Sequence, residues 1–161
     1  MYDALMTKQR SRIHYLAPGR ITRYVLNPLV AGLTRLGIPL AGAAVLGVRG
    51  RRSGEVRTTP VNPMPLDGAR YLGAARGETQ WVRNLRVAGE AELAVGRRTE
   101  RVVATELTGS ADTVPVLREY LRRWAWEVGA FFDGVDADSS DDELAAVAHR
   151  HPVFVLVAAV D

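Results

Sequence analysis

Three arginines fall within seven residues in segment 50–60, whose sequence is Gly-Arg-Arg-Ser-Gly-Glu-Val-Arg-Thr-Thr-Pro. Glycine allows the backbone to turn tightly, and each guanidinium group offers a planar fork of donors that matches a phosphate or a carboxylate. A turn that exposes backbone N–H groups beside such forks can hold an anion. The segment therefore predicts an anion-binding turn, although a basic hairpin tip that only favours solubility would have a similar composition.

A second suggestive segment covers residues 74–86, where a predicted strand ends near Gly77 and a short helix begins. The first N–H groups of a helix have no partner within the helix, so its start is a natural anion site. Trp81 and Asn84 lie on this helix. The Trp81 ring could stack on a flat ligand or fill the core, and its spacing leaves both roles open.

The two segments together, Gly-Arg-Arg-Ser-Gly-x-x-Arg-Thr-x-Pro and Trp-x-x-Asn-Leu-Arg, resemble the deazaflavin-dependent nitroreductase family over about residues 42–108. Members of that family look like split β-barrels that bind coenzyme F420, an 8-hydroxy-5-deazaflavin. The resemblance implies an oxidoreductase of the nitroreductase or quinone reductase type. Such an enzyme transfers a hydride between the reduced coenzyme and a small organic acceptor, which is a quinone, an enone or a nitroaromatic compound.

The resemblance also implies roles for individual residues. The arginine turn would hold the phosphate and acidic tail of the coenzyme through Arg51, Arg52, Ser53, Gly54 and Arg57. The deazaflavin ring would lie along Pro60, Val61, Asn62, Pro63 and Met64. The cleft would be completed by Ala74, Ala75, Arg76, Gly77, Trp81 and Asn84.

Two features depart from the family pattern. The loop before Trp81 is short, and the substrate-side tyrosine of the family has no unambiguous match. Tyr120 and Trp124, in the C-terminal half, are the candidates for the substrate side, and core packing is their alternative role.

Other functions remain open at this point. A flavin enzyme on the same barrel would bind FMN by its phosphate, and a non-catalytic coenzyme- or lipid-binding protein would need the same basic surface. Nucleic-acid binding is not expected, because no recognised module or aromatic platform accompanies the arginines. The chain has no cysteine and three histidines, which excludes disulfides and thiolate metal sites and argues against a histidine metal centre.

The charge is unevenly distributed along the chain. Residues 1–60 carry ten Lys and Arg against two acids, whereas residues 110–161 carry four Arg against ten acids. A basic half of this kind favours an anionic ligand or a membrane surface. We expect a cytoplasmic protein, because cysteine is absent. The basic N-terminus could also contact the inner face of the membrane peripherally. The protein could also form a homodimer.

The pattern of apolar and turn residues indicates how these segments are positioned. It predicts a helix at 21–36, strands at 43–48, 56–66 and 70–75, a helix at 79–87 and strands at 90–95 and 98–107. A long helix follows at 114–128, then a capping box at 140–143 that begins a short helix, and a final strand at 152–160.

Short connections between these strands indicate an antiparallel sheet with helices packed outside it. The predicted fold is therefore mainly β with flanking helices (α+β), an antiparallel split β-barrel of the FMN-binding-like type. The 161 residues suit one domain. It would consist of a flexible basic arm (1–19), an N-terminal helix (20–36), the barrel core (42–108), and helices with a closing strand (112–161).

Overall fold

The computed structural model describes residues 44–160, so the predicted basic arm and the predicted N-terminal helix lie outside the described residues. The described strands are β1 (Ala44–Arg49), β2 (Val56–Val61), β3 (Met64–Leu66), β4 (Ala69–Gly73), β5 (Glu90–Val95), β6 (Arg98–Glu106) and β7 (Val153–Ala158). The described helices are α1 (Gln80–Ala88), α2 (Ser110–Val128), a 3-10 helix (Gly129–Phe132) and α3 (Asp141–Ala148).

All the strands within residues 44–160 join one antiparallel sheet in the order β2-β1-β5-β6-β7-β4-β3. β2 and β3 form its opposite edges, yet only Asn62 and Pro63 separate them in sequence. Consecutive Cα atoms are about 3.8 Å apart, so the two edges approach within about 11 Å at this point. The sheet is therefore curled, and the predicted antiparallel split barrel is confirmed.

The prediction of one continuous strand over 56–66 is wrong. The strand is interrupted at Asn62 and Pro63, where the chain passes from one edge of the sheet to the other. Proline has no N–H to donate to a neighbouring strand, which suits it to this crossing. Val61 and Met64 consequently belong to opposite edges of the sheet rather than to a single strand.

The final strand, β7, lies between β6 and β4 and pairs with both of them. It is the strand that joins the β2-β1-β5-β6 part of the sheet to the β4-β3 hairpin. Its first residues are covered on both faces: Phe154 and Leu156 face the barrel interior and Val153 faces the helices, whereas Val157 near its end is exposed. The predicted closing strand is thus confirmed as a strand within the sheet.

Two apolar cores lie on the two faces of the sheet. The first fills the barrel interior with side chains from β1, β4, β5, β6 and β7, and α1 packs against it through Val82 and Leu85. The second lies outside the barrel, where α2 and α3 cover β3, β4 and β7. Met64 is buried in this second core. None of the helices in residues 44–160 is both long and apolar enough to cross a membrane.

The backbone conformation shows how several of these elements begin and end. Asp67 and Gly68 have φ values of 49° and 78°, as a tight hairpin between β3 and β4 requires. Gly89 ends α1 with φ 69° and donates its N–H to the Leu85 carbonyl. The capping box between Ser140 and Glu143 is present at the start of α3.

Helix α2 differs from its prediction in two ways. It begins at Ser110, a turn earlier than expected, and its backbone leaves helical geometry at Trp124, where φ is −129° and ψ is 22°.

Candidate functional site

An open cleft of about 1040 Å³ lies between the arginine turn, strand β2 and helix α1, and we call it the arginine cleft. Its volume is at the upper end of the roughly 300–1,000 Å³ that is common for ligand sites. The residues that line it are Val48, Gly50, Arg51, Arg52, Ser53, Arg57, Thr58, Thr59, Pro60, Arg76, Thr79, Gln80, Trp81, Arg83 and Asn84.

The arginine turn is fixed by its own backbone. The Gly50 N–H donates to the Glu55 carbonyl at 2.7 Å, and the Gly54 N–H donates to the Gly50 carbonyl at 2.9 Å. Gly54 has φ 71°, and a Cβ atom at Gly50 would lie 2.9 Å from Ser53 Oγ. A side chain at Gly54 would strain its left-handed backbone, and one at Gly50 would crowd Ser53 and the Glu55 carbonyl, 3.1 Å from that Cβ atom. The turn holds its shape without using the side chains of Arg51, Arg52 and Arg57.

Asn84 connects the arginine turn to helix α1. Its Oδ1 accepts hydrogen bonds from the Arg51 backbone N–H at 3.2 Å and from Arg51 Nη1 at 2.9 Å. Arg51 Nη1 also donates to Gln80 Oε1 at 2.9 Å. Asn84 is only 6% exposed, and a buried amide needs such partners. This contact gives a structural reason for the two segments to occur in one chain, because the asparagine of Trp-x-x-Asn fixes the first arginine of Gly-Arg-Arg-Ser-Gly.

The charge of the arginine cleft is strongly positive. Its five arginines are Arg51, Arg52, Arg57, Arg76 and Arg83. Two of them face carboxylates: Arg57 binds Glu55 at 3.1 Å, and Arg83 Nε lies 3.9 Å from Glu78. These pairs are exposed, and such pairs typically contribute about 0–1 kcal/mol. An anionic ligand can therefore replace them at little cost, and the cleft favours such a ligand.

Segment 74–77, which carries Arg76 into the cleft, is held by residues that follow α3. The Ala74 N–H donates to the Pro152 carbonyl at 2.9 Å, and His151 Nδ1 lies 2.9 Å from the Ala75 carbonyl. Since that carbonyl can only accept, Nδ1 carries the proton and donates it. His151 is 3% exposed and its ring stacks on Phe132 at a centroid distance of 3.9 Å.

Sequence reasoning missed this role of His151. The three histidines were considered only as metal ligands, and no group of three or more metal-ligating side chains occurs among the described residues. No local signal could have found the role, because the partner of His151 lies 76 residues earlier in the chain.

The burial of His151 makes stability depend on pH. Desolvation lowers the pKa of His151, Arg150 lowers it further, and Asp133 and the Ala75 carbonyl partly oppose the shift. The unfolded histidine, with a pKa of about 6.5, takes up its proton first. We therefore expect the free energy of unfolding to fall as the pH drops below about 6.5 towards the lowered folded pKa.

Urea unfolding between pH 5 and 8 tests this expectation with His151→Phe, which keeps an aromatic ring beside Phe132. The variant should lose part of the pH slope, whereas His149→Phe, at an exposed position, should keep it. If the free energy of unfolding changed equally with pH in the wild-type protein and in His151→Phe, His151 would not be the source of the pH dependence.

The structure brings only part of the predicted coenzyme residues into the arginine cleft. Those in its lining are Arg51, Arg52, Ser53, Arg57, Pro60, Arg76, Trp81 and Asn84. Gly54 completes the turn beside them. The others lie outside the lining: Val61 and Ala74 pack in the barrel core, Met64 and Ala75 in the second core, Asn62 and Pro63 in the link between edges, and Gly77 in the turn beside Arg150.

Sequence reasoning also missed seven residues of the lining, which are Val48, Gly50, Thr58, Thr59, Thr79, Gln80 and Arg83. A signal for two of them was available. Gln80, Arg83 and Asn84 stand at helical positions i, i+3 and i+4, so they share one face of α1. Once Asn84 is assigned to the cleft, this spacing predicts that Gln80 and Arg83 line it too.

Tyr120 and Trp124 lie in the second core, outside the lining of the arginine cleft. Their rings meet edge to face at 5.1 Å, and a Cβ atom at Gly73 would lie 3.3 Å from the Tyr120 ring. Burial, with a smaller contribution from Glu127, raises the pKa of Tyr120 to about 12, so its phenol stays protonated at neutral pH. Their assignment to the substrate side stays a prediction.

Comparison with known proteins adds to this geometry. A model of the F420H(2)-dependent quinone reductase family matches residues 29–136, more than half of the 161-residue chain. No curated protein sequence matches the chain significantly.

Solved structures resemble the chain at low sequence identity. A Listeria innocua protein described as a pyridoxamine 5′-phosphate oxidase has a TM-score of 0.50 at 8% identity, covering 83% of this chain and 93% of its own. The protein Atu2129 from Agrobacterium tumefaciens has a TM-score of 0.50 at 17% identity, covering 79% of this chain and 54% of its own. These two similarities support the split-barrel fold. The F420-H2 dependent reductase FDR-A has a TM-score of 0.45 at 18% identity, covering 72% of this chain and 94% of its own.

Proposed function

The chain belongs to the F420H(2)-dependent quinone reductase family and is an F420-dependent oxidoreductase, and we propose that it binds the coenzyme in the arginine cleft and reduces a quinone. The observation that carries this proposal is the composition of the cleft. Five arginines line it together with the apolar surfaces of Val48, Pro60 and Trp81.

The arginine cleft fits the two chemically different parts of F420. The phosphate and oligoglutamate tail of the coenzyme is anionic, and the guanidinium groups of Arg51, Arg52 and Arg57 bind oxyanions with charge-assisted hydrogen bonds. The flat deazaflavin ring needs apolar walls and a few hydrogen-bonding groups. Trp81 and Pro60 supply such walls in the same cleft.

When bound, reduced F420 supplies the hydride that the acceptor receives. The residues of the chain bind and orient, since the cofactor carries the difficult chemistry. Asn84 and Gln80 hold Arg51 in place, and the Trp81 ring, tilted against Phe154 at 6.0 Å, is supported by the barrel core. This support orients the cleft before the coenzyme arrives and reduces the cost of ordering it on binding.

Turnover with purified F420H2 tests the proposal. We expect the wild-type protein to oxidise F420H2 with a quinone faster than with an enone or a nitroaromatic compound, and to bind F420 more tightly than FMN. Oxidation of F420H2 by an enone or a nitroaromatic compound but not by a quinone would assign a different acceptor. Tighter binding of FMN than of F420 would contradict the proposed cofactor site.

The remaining predictions about location and partners depend on other parts of the chain. Peripheral membrane contact would use Lys8, Arg10 and Arg12, which lie outside the described residues. A cytoplasmic location, this membrane contact and a homodimer all stay predictions.

A further inference from the structure

A carboxylate stands beside the arginine cleft, where it would oppose an anionic ligand. Glu78 precedes Thr79, the N-cap of α1, and its Oε2 is 3.9 Å from Arg83 Nε. Arg83 lines the arginine cleft, whereas Glu78 does not. A full negative charge at this distance attracts the Arg83 guanidinium and competes with any anion for it.

Arg86 holds this carboxylate from the other side. Arg86 Nη2 donates to Glu78 Oε1 at 2.8 Å, and Nη1 donates to Glu78 Oε2 at 3.0 Å, so the contact is bidentate. The hydrogen bonds from Arg86 are the largest cause of the lowered pKa of Glu78, ahead of the charges of Arg86 and Arg83. Glu78 is therefore a carboxylate whose main partner is Arg86 and whose contact with Arg83 is secondary.

Arg86 is itself held by a second carboxylate. Its Nε donates to Glu106 Oε2 at 2.6 Å, and its Nη2 donates to Glu106 Oε1 at 2.8 Å. Glu106 is the last residue of β6, so this contact ties the guanidinium to the sheet. Arg86 is thus held by Glu106 and in turn holds Glu78.

We propose that Arg86 is a positioning residue for coenzyme binding, which holds Glu78 so that its contact with Arg83 stays at 3.9 Å and the Arg83 guanidinium remains available to an anionic part of F420. The inference rests on the proposed location of F420 in the arginine cleft. Neutralising Arg86 would release Glu78, and the nearest remaining guanidinium to it would be that of Arg83.

Fluorescence titration with purified F420 tests this proposal on four variants of the full chain. Arg86→Gln should weaken binding about three- to fivefold, in line with the strength of one exposed ion pair. Glu78→Gln alone should bind at least as well as the wild-type protein. The double variant Arg86→Gln with Glu78→Gln should return to within about twofold of wild type, because no carboxylate remains to be released. Arg122→Gln removes one exposed arginine of α2 that pairs with Glu119 and does not line the arginine cleft, so it should bind like wild type.

The double variant separates an electrostatic role from a structural one. If Arg86 only braced α1, removing Glu78 as well would leave the affinity as low as in Arg86→Gln, and the proposal would be wrong. The effect of Arg86→Gln should also shrink at high salt, since the interactions involved are exposed. An effect that does not change with salt would contradict the proposal.

Failure of this inference can be distinguished from failure of the proposed site. Weaker binding in the variant Arg51→Ala with Arg57→Ala, combined with wild-type binding in Arg86→Gln, would overturn the role of Arg86 alone. Wild-type binding in both would overturn the cleft assignment and the inference that rests on it.

Discussion

Replacing Arg51 and Arg57 together by alanine is expected to weaken F420 binding at least tenfold. Hydrogen bonds to charged groups contribute about 1.5–3 kcal/mol each, and about 1.4 kcal/mol already corresponds to a tenfold change in affinity. The fold should survive, because the backbone hydrogen bonds of the arginine turn do not use these side chains and the Arg51 N–H still donates to Asn84. Fluorescence titration with F420 measures the affinity, and circular dichroism shows whether the variant is folded.

The matched control for this variant is Arg97→Ala with Arg98→Ala. These two arginines are exposed at the turn between β5 and β6 and do not line the cleft. The control removes the same total charge, so it reports any general electrostatic effect on binding. Equal affinities for the two double variants would remove the arginine turn from the coenzyme site.

Gly77→Ala is expected to cost about 2 kcal/mol of stability or more and to weaken F420 binding as well. Gly77 has φ 78°, and the left-handed conformation costs a residue with a side chain about 1–2 kcal/mol. Its new Cβ atom would also lie 2.9 Å from the Arg150 carbonyl oxygen, which is backbone and cannot rotate away. Segment 74–77 would have to shift, and Arg76 would move with it. Urea unfolding and F420 titration measure the two effects.

Gly96→Ala is the control that separates the clash from the conformational cost. Gly96 has φ 58° in the β5-β6 turn, and a Cβ atom there would meet no atom within 4 Å. The free energy of unfolding of Gly96→Ala should therefore fall only by the cost of placing alanine in a left-handed backbone. Its affinity for F420 should stay normal. Equal losses of stability in Gly77→Ala and Gly96→Ala would show that the contact with Arg150 is unimportant.

The parts of this molecule that the sequence predicts well are those determined by neighbouring residues. The turns at glycines with positive φ, the capping box at Ser140 and the antiparallel hairpin of β5 and β6 each depend on a few consecutive residues. The two segments that line the arginine cleft are recognisable for the same reason. Their joint occurrence has a cause that only the structure reveals, namely the hydrogen bonds from Arg51 to Asn84.

The features that were missed depend on contacts between distant parts of the chain. Asn62 and Pro63 are turn-prone residues within segment 56–66, but no local pattern shows that β2 and β3 belong to opposite edges of the sheet. Met64 was consequently assigned to the coenzyme ring, whereas it is 1% exposed in the second core. The contact of His151 with Ala75 and that of Arg86 with Glu106 likewise join elements that the order of residues does not place together.

A crystal structure of the full chain with bound F420 tests the central claim most directly. We predict that the coenzyme occupies the arginine cleft, with its anionic tail at the turn that carries Arg51, Arg52 and Arg57 and its ring beside Trp81 and Pro60. F420 bound instead outside this cleft, for example against Tyr120 and Trp124 on the outer face of the sheet, would contradict the account.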